Sequence, residues 1–74
     1  MPGIKPLTVL NDSLNKRVIV ELKFNRGYTG ILSGFDPHMN LVLKSADEYD
    51  AEGNLARKLD STIVRGDNVI YISP

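Results

Sequence analysis

The sequence predicts a mostly β fold, with a short N-terminal α-helix followed by a strongly bent, five-stranded antiparallel barrel of the SH3-like or OB type. Three observations support this prediction. The apolar spacing changes from a helical period to a two-residue period near Arg17, the second strand contains two glycines, and turn residues separate five strand-like segments. The 74 residues suffice for one domain, expected over 1–74, with the helix at about 6–14 and the barrel at about 17–73.

The first element is predicted to be a helix that begins at Pro6, because proline is well tolerated at the first helical position. Leu7, Leu10 and Leu14 then fall on one stripe of the helix. A helix this short is not stable alone in water. We therefore expect its leucine stripe to pack against the barrel.

The first strand is predicted from an alternating pattern over residues 17–24. Its buried face is expected to hold Val18, Val20, Leu22 and Phe24. The next three residues, Asn25–Gly27, have the composition of a hairpin connection. In this reading Gly27 occupies the position that requires a positive φ.

The second strand is predicted over Tyr28–Phe35, and Gly30 and Gly34 inside it indicate a sheet that curls toward closure. Asp36-Pro37-His38 is predicted to be a turn, because proline fixes φ and restricts the residue before it. The remaining predicted elements are a third strand over Met39–Ala46, a polar loop over Asp47–Asn54, a fourth strand over Ala56–Val64, a turn at Arg65-Gly66 and a fifth strand over Asn68–Ser73.

The fifth strand has no feature that would protect it as a sheet edge. Its centre, Val69-Ile70-Tyr71-Ile72, is apolar on both faces and contains neither lysine nor proline. An edge of this kind either aggregates or pairs with another strand. We therefore predict that these four residues form a subunit interface and that head-to-tail pairing closes into a ring.

Composition excludes several classes of function. Nine basic residues balance nine acidic residues, so the chain lacks the basic excess of a non-specific polyanion binder. No cysteine is present and His38 is the only histidine, which argues against nucleophilic catalysis and a zinc site; no enzyme activity, metal or cofactor is expected. No membrane-spanning segment or secretory signal is visible in the sequence, which makes the cytoplasm the expected location.

Two segments carry a family resemblance. Residues 34–43, GFDPHMNLVL, and residues 63–72, IVRGDNVIYI, resemble the two signature segments of the Sm and Sm-like (Lsm) family, in the archaeal style. The resemblance extends over nearly the whole chain. It implies a helix on a bent five-stranded barrel and a ring of six or seven subunits, usually seven in archaeal members, with the fifth strand of one subunit beside the fourth strand of the next.

The resemblance also implies an RNA-binding function. Rings of this family bind single-stranded, uridine-rich RNA at the inner rim of the pore, one base per subunit. Carried over by position, His38 and Arg65 would hold the two faces of a base and Asn40 would read the uracil edge. Gly66 would let the turn approach the base. The candidates for fixing the orientation of the Asn40 amide are Asp67 and the backbone near Gly66.

Asp36 is expected to brace its loop rather than to touch RNA. Asp47, Glu48, Asp50 and Glu52 are expected in a solvated loop; in a weaker reading, that loop repels RNA or contacts a basic protein. The resemblance is compatible with a role as an RNA-processing or ribonucleoprotein scaffold or chaperone, with other RNA-processing proteins as partners. The alternative is an oligomeric protein–protein scaffold of the same fold with weak or no RNA binding, because a fold alone does not specify a function.

Overall fold

The computed structural model describes residues 6–73, which form one helix and a five-stranded antiparallel sheet. The elements are α1 (Pro6–Asp12), β1 (Arg17–Leu22), β2 (Arg26–Phe35), β3 (Leu41–Tyr49), β4 (Leu55–Val64) and β5 (Val69–Ser73). Short 3₁₀ turns cover Lys23–Asn25 and Gly66–Asn68. The strand order is β4-β3-β2-β1-β5, so within the described residues β4 and β5 are the two edges of the sheet and the barrel is open between them. No helix in this range is long and apolar enough to cross a bilayer.

The core lies on the concave face of the sheet and is closed at one side by α1. The most deeply buried side chains are Val18, Val20, Leu32, Leu41 and Leu43. Burying side chains of this size contributes about 1.5–3 kcal/mol each. This packing confirms the predicted periodicity of the first strand up to Leu22 and places the core beneath the loops described below.

The helix is two residues shorter than predicted and ends at Asp12. Leu10 is buried and Leu14 packs against the core from the following turn, whereas Leu7 is 42% exposed. The chain then turns through Asn15, which has a φ of 65°. The Asn15 N–H donates to the carbonyl oxygen of Leu32 at 2.8 Å, so the helix is joined to the middle of β2.

The predicted end of the first strand is wrong. Phe24 lies in the 3₁₀ turn rather than on the buried face, and 87% of its surface is exposed. The residues with positive φ are Phe24 (66°) and Asn25 (58°), not Gly27, which already pairs with Glu21 in the β1–β2 ladder. Glycine is favoured at position 27 because a Cβ there would lie 3.2 Å from the carbonyl oxygen of Val20, which is a tight contact.

The predicted bend in β2 is present. The β2–β3 register shifts on either side of Gly30 and again near Gly34. A Cβ on Gly30 would lie 3.2 Å from both Ala46 Cα and the carbonyl oxygen of Lys44, so any larger residue would push the two strands slightly apart. On the opposite strand Ser45 has a φ of 49°, which marks the extra residue of the bulge.

The predicted loop over Asp47–Asn54 is too long, because β3 continues to Tyr49 and only residues 50–54 connect it to β4. Asp47 and Glu48 are therefore strand residues, and the solvated-loop prediction is wrong for both. Their carboxylates accept contacts from basic side chains of other strands: Asp47 from Arg17 (3.1 Å) and Lys58 (3.3 Å), and Glu48 from Arg26 (3.2 Å) and Arg57 (3.0 Å).

Glu48 is the more buried of the two, with 8% of its side chain exposed. The neighbouring Tyr28 pairs with it in the β2–β3 ladder. Burial, and then the negative charge of Glu48, raise the pKa of Tyr28 above its ordinary value of 10.0. The phenol therefore stays neutral beside this ion-paired carboxylate.

Because consecutive strands are antiparallel, their connections alternate between two ends of the sheet. Residues 36–40 and 65–68 lie at one end, together with the connection from α1, and we call this the loop end. Residues 23–25 and 50–54 lie at the opposite end, which we call the far end. The predicted site residues therefore all belong to the loop end.

Candidate nucleic-acid interface

Asp36 organises the connection between β2 and β3. Its Oδ1 accepts the backbone N–H of His38 at 2.9 Å and that of Asn40 at 3.1 Å, while its Oδ2 accepts Asn40 Nδ2 at 2.9 Å. Met39, with a φ of 65°, turns the chain so that Asn40 points back toward Asp36. The loop is thus closed by one carboxylate, as predicted for a bracing residue.

The charge state of Asp36 follows from these contacts. The hydrogen bond from the Asn40 side chain lowers the pKa of Asp36 below its ordinary value of 3.8, and the backbone N–H groups of Asn40 and His38 act in the same direction. The carboxylate is therefore ionised at neutral pH and can act only as an acceptor.

A hydrogen bond from the backbone of the second loop to a side chain of the first joins the two loops. The N–H of Gly66 donates to Asn40 Oδ1 at 2.8 Å. A Cβ on Gly66 would overlap the carbonyl oxygen of His38 and would lie 2.8 Å from the carbonyl carbon of Met39. Glycine is required here because two backbones approach closely, and its φ is not in the left-handed region.

These contacts fix the orientation of the Asn40 amide. An N–H can only donate, so the atom facing Gly66 is the amide oxygen; an ionised carboxylate can only accept, so the atom facing Asp36 is the amide nitrogen. The orienting groups are Asp36 and the backbone N–H of Gly66. The predicted role of the backbone near Gly66 is therefore confirmed, and the prediction that Asp67 orients the amide is wrong. Asp67 instead pairs with Arg65 at 3.3 Å.

The five residues predicted to bind RNA lie together. A shallow open cavity of about 380 Å³ is lined by His38, Asn40, Arg65, Gly66 and Asp67. His38 is exposed and 76% of the Arg65 side chain is exposed, so both flat side chains are accessible at the rim. Asn40 is half-buried between the two loops. The arrangement offers two stacking groups around one oriented amide.

A second, more apolar cavity of about 510 Å³ adjoins the first and shares Asn40 and Arg65 with it. Its walls include Phe35, Val42 and Ile63, which the sequence reasoning did not single out. Ile63 is 72% exposed although it is a large apolar residue in a strand. The exposure of Ile63 could have been predicted from its place in β4. It comes one residue before the buried Val64, and side chains of a strand alternate between the two faces, so Ile63 points to the outer face.

The predicted interface residues lie in β5 as expected, but they are not equivalent. Val69 and Ile72 are half-buried against the core, whereas Ile70 is 61% exposed and Tyr71 is 52% exposed. One edge of β5 pairs with β1, and the other edge has no partner within residues 6–73. The same holds for the outer edge of β4. In this range no group of three or more potential ligand residues could hold a metal ion.

The sequence model of the LSM domain matches residues 8–74. This chain belongs to the LSM domain family. The match includes both loops of the site and every strand. It confirms the family resemblance that the two signature segments carry.

This LSM chain is similar to archaeal proteins. It is 51% identical to an snRNP Sm-like protein of Methanococcoides burtonii over 72 residues, covering 97% of this chain and 99% of that one. Among solved structures, it is similar to a Pyrococcus abyssii Sm protein in complex with a uridine heptamer, with 39% identity and a TM-score of 0.91 over 96% of this chain and 99% of that one.

A heptameric archaeal Sm protein is similar to this LSM chain at 43% identity, with a TM-score of 0.83 and coverage of 90% of this chain and 96% of that one. The SmAP1 heptamer of P. aerophilum is similar at 40% identity, with a TM-score of 0.89 and coverage of 99% and 96%. These likenesses confirm the predicted fold, a short helix on a bent sheet of five antiparallel strands.

Proposed function

We propose that this LSM chain assembles into a ring, a heptamer by analogy with its solved relatives, and binds single-stranded, uridine-rich RNA at the inner rim. The observation that supports it best is the Asn40 amide, which is held by Asp36 and Gly66 and shares one cavity with the exposed side chains of His38 and Arg65. A similar chain was solved with a uridine heptamer. The alternative of a protein scaffold without RNA binding gains no support from that relative.

The orientation of the amide determines which base fits. Asn40 Oδ1 keeps one lone pair after accepting from Gly66, and Nδ2 keeps one hydrogen after donating to Asp36. Uracil offers an N3–H donor beside the O4 acceptor, which matches these two free positions. Cytosine offers an acceptor at N3 and a donor at the neighbouring position, so both contacts would be repulsive unless the amide turned over and broke the clamp.

Stacking supplies the part of the affinity that does not depend on base identity. A splayed base between His38 and the Arg65 guanidinium would gain about 1–3 kcal/mol per stack. Asp67 holds Arg65 at 3.3 Å and both side chains are more than half exposed, so this surface ion pair contributes little stability of its own. Its value is to limit where the guanidinium can lie.

Assembly into a ring would let several sites of low affinity bind one RNA strand tightly. Within residues 6–73, β5 and β4 each have one edge without a partner strand. The exposed apolar residues Ile70 and Tyr71 on β5 and Ile63 on β4 lie on these edge strands. Pairing β5 of one subunit with β4 of the next would cover both edges. A ring then places one pocket per subunit on one strand of RNA, at high effective concentration.

A role without catalysis is part of this proposal, as is cytoplasmic action in RNA processing or as a ribonucleoprotein scaffold or chaperone, with other RNA-processing proteins as partners. The net charge of zero is compatible with it because binding is confined to the rim. At the rim, the charge of Arg65 is paired with that of Asp67, and Asp36 adds a second carboxylate, so each subunit contributes little net positive charge. We therefore expect a modest dependence on salt and little affinity for duplexes.

The test is a fluorescence anisotropy titration with heptauridine, heptacytidine and heptaadenosine, with the oligomer mass measured by native mass spectrometry. The wild type should prefer uridine. Asn40→Ala should reduce the preference for uridine over cytidine, whereas Arg65→Ala should weaken binding to both and flatten the salt dependence. Equal losses for both variants on both RNAs would contradict the division of roles, and a monomeric mass would contradict the ring.

A further inference from the structure

The most exposed large apolar side chain in the described residues lies at the far end of the sheet, opposite the RNA loops. Phe24 is 87% exposed and has a φ of 66° and a ψ of 31°, a conformation that a bulky residue rarely adopts. Lys23 and Arg26 flank the hairpin tip, and both are exposed. Asparagine or glycine would suit this turn better, so the phenylalanine serves neither the hairpin nor the core.

A pocket of about 340 Å³ lies beside the same hairpin. Gly27 lines it, and its apolar lining residues include Ile19, Tyr49 and Ala51. We call it the far-end pocket. Every lining residue comes from β1, β2, β3 or the connections at the far end; none comes from β4 or β5, so pairing of those two strands in a ring leaves the pocket free.

The charges of the tip and the pocket are opposite. The charged residues that line the pocket are Glu21 and Asp50, both acidic, and a Glu21 carboxylate oxygen would lie 3.6 Å from a Cβ at Gly27. Glu21 forms no salt bridge within residues 6–73. An acidic pocket disfavours phosphate, and an apolar ring beside Lys23 is complementary to it. Arg26 is already paired with Glu48 of its own chain.

The tip and the pocket belong to one chain, but Phe24 does not line its own pocket. We propose that the far-end pocket receives Phe24 of a second copy, with Lys23 of that copy beside Glu21, so that rings associate with one another through their far ends. The contact is self-complementary, because every copy presents both a projecting ring and a pocket. This proposal rests on the proposed function in one respect: the ring repeats the contact once per subunit around the face formed by the far ends.

The test measures assembly above the single ring by sedimentation velocity and native mass spectrometry over a wide range of protein concentration. The main variant is Phe24→Asn, because asparagine tolerates positive φ and should leave the hairpin at least as stable as in the wild type. Leu7→Asn is the matched control, since Leu7 is also an exposed apolar residue but lies on α1 at the loop end.

We expect the wild type to form species of twice the ring mass or larger, and Phe24→Asn to raise their dissociation constant about tenfold or more. Leu7→Asn should not change it, and heptauridine binding by all three proteins should stay the same. Lys23→Glu should weaken association, and adding Glu21→Lys to it should restore association by exchanging the two charges.

Several results would overturn the proposal. They are a wild type that remains a single ring at every concentration, a Phe24→Asn variant that associates like the wild type, or a charge exchange that fails to restore association. Loss of heptauridine binding in Phe24→Asn without a change in assembly would assign the tip to RNA instead. Because ring mass and RNA binding are measured separately, failure here is distinguishable from failure of the proposed RNA function.

Discussion

Replacing Gly66 by alanine tests the geometry of the proposed RNA site most directly. The added methyl group would overlap the carbonyl oxygen of His38 and would lie 2.8 Å from the carbonyl carbon of Met39 and 2.9 Å from that of His38. All three neighbours are backbone atoms, so no rotamer change can make room. One loop must move away from the other, and the bond from the Gly66 N–H to Asn40 Oδ1 is then lost.

The expected cost combines two effects. Overpacking against backbone costs about 1–3 kcal/mol, and loss of a hydrogen bond to a half-buried amide costs about 1 kcal/mol. We therefore expect Gly66→Ala to lower the free energy of unfolding by about 2–4 kcal/mol per subunit, or the melting temperature by roughly 10 °C or more. Released from one side, the Asn40 amide can turn over, so the preference for heptauridine over heptacytidine should also fall.

The matched control is Gly34→Ala, because a Cβ there would meet only Val42 at an ordinary 3.9 Å and the φ of Gly34 is not positive. Its unfolding free energy should stay within about 1 kcal/mol of the wild type. Both variants are compared by chemical denaturation at one protein concentration, since ring assembly makes stability depend on concentration. Equal stability and equal uridine preference for the two variants would refute the close approach of the loops.

Two further predictions concern carboxylates. Glu48→Gln should lower the free energy of unfolding by about 1–3 kcal/mol, because it removes the charge between two arginines in a largely buried position. Asp47→Asn, on a more exposed carboxylate, should lower it by less than about 1 kcal/mol in the same denaturation assay. A larger loss for Asp47→Asn than for Glu48→Gln would contradict this prediction. The pKa of Asp36 is lowered in the folded state, so its contribution to stability is complete above pH 3.8 and is lost as the pH falls through the lower folded value. An NMR titration of the Asn40 side-chain amide should therefore be flat, with respect to Asp36, from pH 8 to pH 5 and change only below 3.8; a midpoint above 3.8 would contradict the clamp.

The local sequence pattern was sufficient to predict which helix and strands form, but not where each of them ends. Alternation predicted the buried positions of β1, yet it could not show that the strand ends at Leu22, since Phe24 continues the same pattern into the turn. Composition placed Asp47 and Glu48 in a loop. Their actual role depends on cations of other strands, such as Arg17, thirty positions earlier, and no local signal reports such contacts.

The site residues were identifiable through the two signature segments, and the structure brings all five together in one cavity. Their partners were less predictable. The choice between Asp36 and Asp67 as the group that orients Asn40 depends on how Met39, with its positive φ, turns the first loop. Asp36 is only four positions from Asn40 and Asp67 is 27 positions away, but proximity alone does not show which side-chain atoms meet.

The contact between Gly66 and Asn40 also bears on how the chain becomes functional during synthesis. It joins two loops that are 26 positions apart, with all of β3 and β4 between them. A chain that ends before residue 66 would carry His38 and Asn40 but would lack the Gly66 N–H that holds the Asn40 amide from the second loop. It would also lack β5, the strand that pairs with another subunit in the proposed ring. In the proposed function, RNA recognition would thus depend on residues 65–73, which make up about an eighth of the sequence. An incomplete subunit would neither select uridine nor offer the strand through which it would enter a ring.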